Sequence, residues 1–135
     1  MQMKTFDDIQ IDEKIYYVII DKDFNISLPK ISYVALKKEE PFERCWRITL
    51  SNFLTFYAYK GSIDAEAYCG DDYDDKMIIY SLDEENLKNA IEDNIHRRIN
   101  EYEYRLKDIK SQLSDLRKKE KTYKKLISNL ESKLS

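Results

Sequence analysis

Few residues in this chain have the chemistry for catalysis, and those that do converge on no motif. His96 is the only histidine. It lies between Ile95 and the pair Arg97-Arg98, where a structural or solvent-facing role is the simpler reading. Cys45 follows Arg44 and precedes Trp46 and Arg47, and nearby positive charge lowers a thiol pKa. A Cys–His dyad is nevertheless hard to build with one histidine, and alternation puts Cys45 on the strand face opposite Trp46. A plain strand cysteine is expected. Asp71, Asp72, Asp74 and Asp75 supply the carboxylate oxygens that Ca²⁺ or Mg²⁺ would need. Their spacing is not that of an EF-hand loop, and Gly70 precedes the acids instead of lying among them. A hydrated acidic loop is favoured. The expectation is a protein without catalytic residues, metal or cofactor.

Binding chemistry is better represented. The same four aspartates, with Tyr57 and Tyr59, are the candidate partner-binding residues. Clustered acids attract a basic partner or imitate phosphates, and a tyrosine buries a large area while keeping a polar tip. Asp7, Asp8, Asp12 and Glu13 could extend the acidic patch. Net charge is −3, but its distribution is uneven. Residues 95–135 hold twelve Lys/Arg against six Asp/Glu, whereas residues 1–94 hold eleven against twenty. Lys118, Lys121 and Lys125 in the basic part could touch nucleic-acid phosphates, a non-specific and salt-sensitive mode. Acids are interleaved with them and no basic block precedes the segment, so nucleic acid is a possible but unfavoured partner.

The element that must organise these residues is the C-terminal third. Taking Ile95 as position d, the d positions are Ile95, Tyr102, Ile109, Leu116, Tyr123 and Leu130. The a positions are Ile99, Leu106, Leu113, Glu120, Ile127 and Leu134. Eleven of these twelve are apolar or aromatic, and no Gly or Pro interrupts them. That pattern predicts a coiled coil about 60 Å long at 1.5 Å per residue. Such a seam is too long for one small domain to cover. It calls for other copies of the chain, as a dimer or tetramer. A hairpin folding the seam on itself would have to turn within 115–122, a stretch of strong helix formers, so one continuous helix is expected. Glu120 at an a position would be costly to bury unpaired; Lys119, Lys121 or Lys124 of an opposing helix could neutralise it and set register.

Upstream, the chain reads as short strands and tight turns. Phe6 and Ile9 flank a turn that tucks both under the downstream chain. Lys14–Ile20 is apolar on both faces and predicts a central strand. Phe24, Ile26 and Leu28 alternate with polar residues, the pattern of a half-buried strand, and 31–36 continues extended. Residues 37–41 read as a charged loop. Strands follow at 44–50, with Trp46, Ile48 and Leu50 on one face, and at 53–59. Shorter ones follow at 63–68 and 77–80. Ser81-Leu82-Asp83-Glu84 matches a capping box, so a helix should open near Leu82, with Leu87, Ala90 and Ile91 packing on the strands. Their four-residue steps fall out of phase with the later heptads, a stutter that turns the stripe outward from Ile95. The reading is α+β: a small antiparallel barrel or bent sheet over 1–80, then one long helix over 81–135 that forms a coiled coil from about 95.

The opening Phe6-Asp7-Asp8-Ile9-Gln10-Ile11-Asp12-Glu13-Lys14-Ile15-Tyr16-Tyr17-Val18 resembles the start of many small SH3-like barrels, with Asp12-Glu13 standing where Gly-Asp is usual. The outline of barrel and C-terminal coiled coil resembles small proteins of bacteriophages and mobile elements, as does the Ile/Lys/Asn/Tyr-rich composition. That resemblance implies no catalytic residues and favours an inhibitor or adaptor that binds a host protein, including a defence protein. Two cysteines are too few for a disulfide framework. No signal peptide is visible, and the longest apolar run, 15–20, is too short to span a membrane. A cytoplasmic protein with no membrane partner is expected.

Overall fold

A computed structural model describes residues 4–69 and 76–134, apart from the side chain of Cys69. Six strands form one antiparallel sheet: β1 (Lys14–Ile20), β2 (Lys30–Glu40), β3 (Cys45–Leu50), β4 (Thr55–Tyr59), β5 (Asp64–Cys69) and β6 (Lys76–Ser81). Their order is β4-β3-β2-β1-β6-β5. The edge strands β4 and β5 approach each other, so the sheet is a nearly closed barrel. One helix, α1 (Glu84–Leu134), follows without a break. Two compact units divide the chain, 1–93 and 94–135, and the first includes the opening of α1.

β1 is central, paired with β2 on one side and β6 on the other. Its alternation explains why it is apolar on both faces. Ile15 and Tyr17 point into the barrel, while Val18 and Ile20 point out toward the helix. β6 does the same with Ile78 and Tyr80 inward and Met77 and Ile79 outward. Aromatic rings fill the barrel. Phe56 stacks on Tyr80 at 4.0 Å between centroids, Phe6 meets Phe56 edge-on at 5.6 Å, and Tyr17 lies 5.8 Å from Tyr80. Burying this much ring area against itself is the main driving force for the barrel. Leu87 and Ala90 lie on the outer faces of β1 and β6, with Ile91 beside them. Phe6 and Ile9 are fully buried, as their turn suggests.

With only two glycines in the chain, tight turns have to use other residues. Asp12, Phe24, Arg44 and Phe53 all adopt positive φ, between 52° and 71°, beside the single described glycine of that kind, Gly61. Each such residue costs about 1–2 kcal/mol relative to its right-handed conformation.

Three expectations fail, each for an identifiable reason. Phe24–Leu28 is no strand; only an isolated bridge joins Ile26 to Ile20. The Asp21 carboxylate accepts hydrogen bonds from the amides of Asp23 and Asn25 at 3.0 and 2.9 Å, so turn chemistry overrides the alternation. Lys37–Glu40 is not a loop but the second half of β2, paired with β3. Charges along it are engaged by other parts of the chain: Glu39 by Lys60, Glu40 by Arg47, and Lys37 by the carbonyls of Asp7 and Ile9. Finally, Ser81 does not cap the helix. It ends β6, is buried, and donates to the Ile63 carbonyl. Asp83 caps instead, its Oδ1 accepting from the Asn86 amide at 2.7 Å.

Candidate functional site

Two surfaces of the described residues concern the candidate sites. The first is the seam of α1. Ile99, Tyr102, Leu106, Ile109, Leu113, Leu116, Tyr123, Ile127, Leu130 and Leu134 are all exposed, joined by Leu126 at the adjacent g position, while Ile95 is half-buried. Isolated exposed leucines are ordinary. A row of ten such residues on one helix face, from Ile99 to Leu134, is a surface that water does not favour. The helix is continuous through 115–122, which leaves no turn for an internal hairpin. Glu120 is exposed, and its carboxylate lies 2.7 Å from Lys124 Nζ one turn along the same helix. The neutralising cation foreseen on an opposing helix is thus already present in cis. Glu101 is held in the same way by Arg98 and Arg105. Lys118, Lys121 and Lys125 all lie on the exposed helix surface, as does His96.

The second surface is a groove on the outside of the barrel, of about 550 Å³, lined by Glu43, Cys45, Tyr57, Tyr59 and Glu66. Tyr57 and Tyr59 are two residues apart on β4, so both point outward. Cys45 is level with Tyr59 in the β3–β4 ladder and shares that face. The β3–β4 register explains the juxtaposition: the hairpin turns through 51–53, so Cys45 lies opposite Tyr59, where strands at 44–50 and 53–59 would have set it opposite Ala58. Nothing local in the sequence marks Glu43 or Glu66 as neighbours of these tyrosines. The other candidates of the partner-binding set, Asp71, Asp72, Asp74 and Asp75, lie outside the described residues.

The thiol pKa of Cys45 is raised, opposite to the lowering that its neighbouring arginines alone would give. Burial first, then the Glu43 carboxylate, to which its Sγ donates at 3.7 Å, and more weakly Glu40, push its pKa above 9.0. The flanking arginines do not reverse this, since Arg47 is engaged by Glu40. A thiol held protonated is a poor nucleophile.

No family model, curated protein or solved structure matches this chain. Among the described residues no three His, Cys, Asp or Glu side chains gather in a metal-binding arrangement. No helix in the described residues is long and apolar enough to cross a membrane.

Three of the N-terminal acids, Asp7, Asp8 and Glu13, are committed to structure. Asp7 Oδ1 accepts from Trp46 Nε1 at 2.7 Å and from the Gly61 amide at 3.0 Å. These two bonds, helped by Lys37 and Lys60, hold its carboxyl below the ordinary 3.8. Trp46 is in turn flanked by the same two lysines, 4.2 and 5.2 Å from its ring centroid. Asp8 accepts from the Thr5 amide, and Glu13 pairs with Lys4.

Proposed function

We propose that this chain is a non-enzymatic, homo-oligomeric interaction protein. Helices of separate copies pair through the seam, and the barrels offer binding surfaces to another protein. The observation that carries the reading is the apolar row on α1, exposed from Ile99 to Leu134 and interrupted at Glu120. A helix this long gains little stability in water without a packed face, and burying the row between copies provides it. Repeating one weak barrel surface within an assembly raises avidity without new contacts. The concrete form, suggested by the resemblance to phage and mobile-element proteins, is an inhibitor or adaptor directed at a host protein.

The test is the mass in solution. Sedimentation velocity over a wide concentration range should give a multiple of the 16.2 kDa chain. A concentration-independent monomer would remove the foundation of the proposal.

A further inference from the structure

Orientation within the assembly can be derived from three awkward residues on the seam. We propose that neighbouring helices run antiparallel in full overlap, with Leu113 of one copy level with Leu116 of the next. The inference rests on the pairing reading above and specifies its geometry.

Reversing one helix of a pair brings a positions level with d positions. This seam opens on a d residue, Ile95, and closes on an a residue, Leu134. Full overlap is therefore also in phase, and no seam residue is left without a partner layer.

What separates the two orientations is the content of the layers. In a parallel, in-register pair every seam residue meets its own copy. Tyr102 would face Tyr102 and Tyr123 would face Tyr123, two wide layers set among narrow Ile and Leu ones. Interhelical distance would have to vary along the seam, at a cost in packing. Glu120 would face Glu120, placing two carboxylates in one partly desolvated layer. The antiparallel register resolves all three. Tyr102 meets Ile127, Tyr123 meets Leu106, and Glu120 meets Ile109, so each large or polar residue faces an aliphatic one. The two Glu120 residues then lie eleven residues apart along the axis, about 16 Å at 1.5 Å per residue. That exceeds the screening length of about 8 Å at physiological salt. Each also keeps its own Lys124, at 2.7 Å on the same helix, and needs no cation from the partner. Flanking charges favour neither direction: parallel pairing sets Arg98 against Glu103 but Lys119 against Lys124, and antiparallel pairing sets Glu103 against Lys124 but Lys110 against Arg117. The layers decide.

Disulfide trapping tests this in the full chain with Cys45 and Cys69 changed to Ser. Ile99→Cys and Leu130→Cys are made in separate chains, mixed, and oxidised with glutathione. The product is identified by mass spectrometry. An antiparallel neighbour gives the mixed 99–130 disulfide at least tenfold above either self-linked product. Tyr102→Cys with Ile127→Cys is the second pair, in case the first disturbs assembly. Self-linked Ile99→Cys at a yield equal to or above the mixed product overturns the orientation. Sedimentation of the same cysteine-free protein keeps the two claims apart. A monomer there defeats pairing altogether, whereas an assembled protein with self-linked products defeats only the antiparallel register.

Discussion

Replacing Leu113 by Asp should take the assembly apart. In the single chain Leu113 is 45% exposed, so about half of its burial free energy is still to be gained on pairing. Full burial of a leucine stabilises by about 1.5–3 kcal/mol, which leaves about 1 kcal/mol per copy at this position. In a dimer the substitution enters twice, removing about 2 kcal/mol of apolar burial. It also places two carboxylates in the middle of the interface, and each effectively costs several kcal/mol to desolvate there. A total loss of about 6 kcal/mol or more weakens the dissociation constant by about 10⁴-fold. Sedimentation velocity between micromolar and submillimolar protein reads this directly. Far-ultraviolet circular dichroism should fall with it, because the unpaired helix frays. Ser111→Asp, at the outer f position two residues before it, is the control and should leave the mass unchanged. A Leu113→Asp chain that sediments like the wild type would refute the idea that this seam is an interface.

Three further outcomes are expected of the barrel. Phe53 sits at φ 70° and is 90% exposed, so Phe53→Gly relieves left-handed strain with no lost packing. The gain, set against glycine's entropy cost of about 0.5–1 kcal/mol, is up to about 1 kcal/mol. Thermal denaturation should show a higher midpoint, while Phe24→Gly lowers it, because Phe24 packs against the outer core. Asp7 has a depressed pKa, so its contribution to stability is present above 3.8 and is lost as pH falls through the lower folded value. The difference in urea midpoint between wild type and Asp7→Asn, monitored by Trp46 fluorescence, should therefore be largest at neutral pH and vanish in strong acid. A difference that grows on acidification would contradict that account. Lastly, in a Cys69→Ser background, Cys45 should react with iodoacetamide more slowly than free cysteine at pH 8. Glu43→Gln should speed it, since the Glu43 carboxylate both accepts from the thiol and repels the thiolate. Equal rates in the two chains would remove Glu43 as the cause.

The helix was legible in the sequence because everything that specifies it is local. Its period, its lack of Gly and Pro from 84 to 134, and the in-phase a and d residues each act within a few turns. The central position of β1 was legible for a related reason. A strand covered on both faces cannot carry many polar residues on either, and Lys14–Ile20 has almost none. Local pattern also misled. Phe24–Leu28 alternates like a strand, yet the Asp21 side chain ties it into a turn. Lys37–Glu40 carries the charges of a loop, yet β3 lies alongside to take its backbone into the ladder, and Arg47, Lys60 and the 7–9 turn meet charges along it. Ser81 fits a capping box, but its place at the end of β6 leaves it buried and Asp83 takes the role.

The groove on the outside of the barrel belongs to tertiary structure. Tyr57 and Tyr59 could be nominated from residue type, but the groove they line depends on Cys45 through the β3–β4 register. It also depends on Glu66, brought in as the edge strands β4 and β5 converge. The state of Cys45 shows the same division. Its sequence neighbours are arginines, and their charge argues for a reactive thiolate. Packing buries the sulfur beside Glu43, with Glu40 adding to the negative field, and the sign of the effect reverses. Sequence by itself determined the helix, its seam and the central strand, since these rest on interactions a few residues apart. Only the fold decided which charges pair, which residue caps and what surrounds the thiol. Those outcomes depend on residues that are distant along the chain and meet only when the barrel closes.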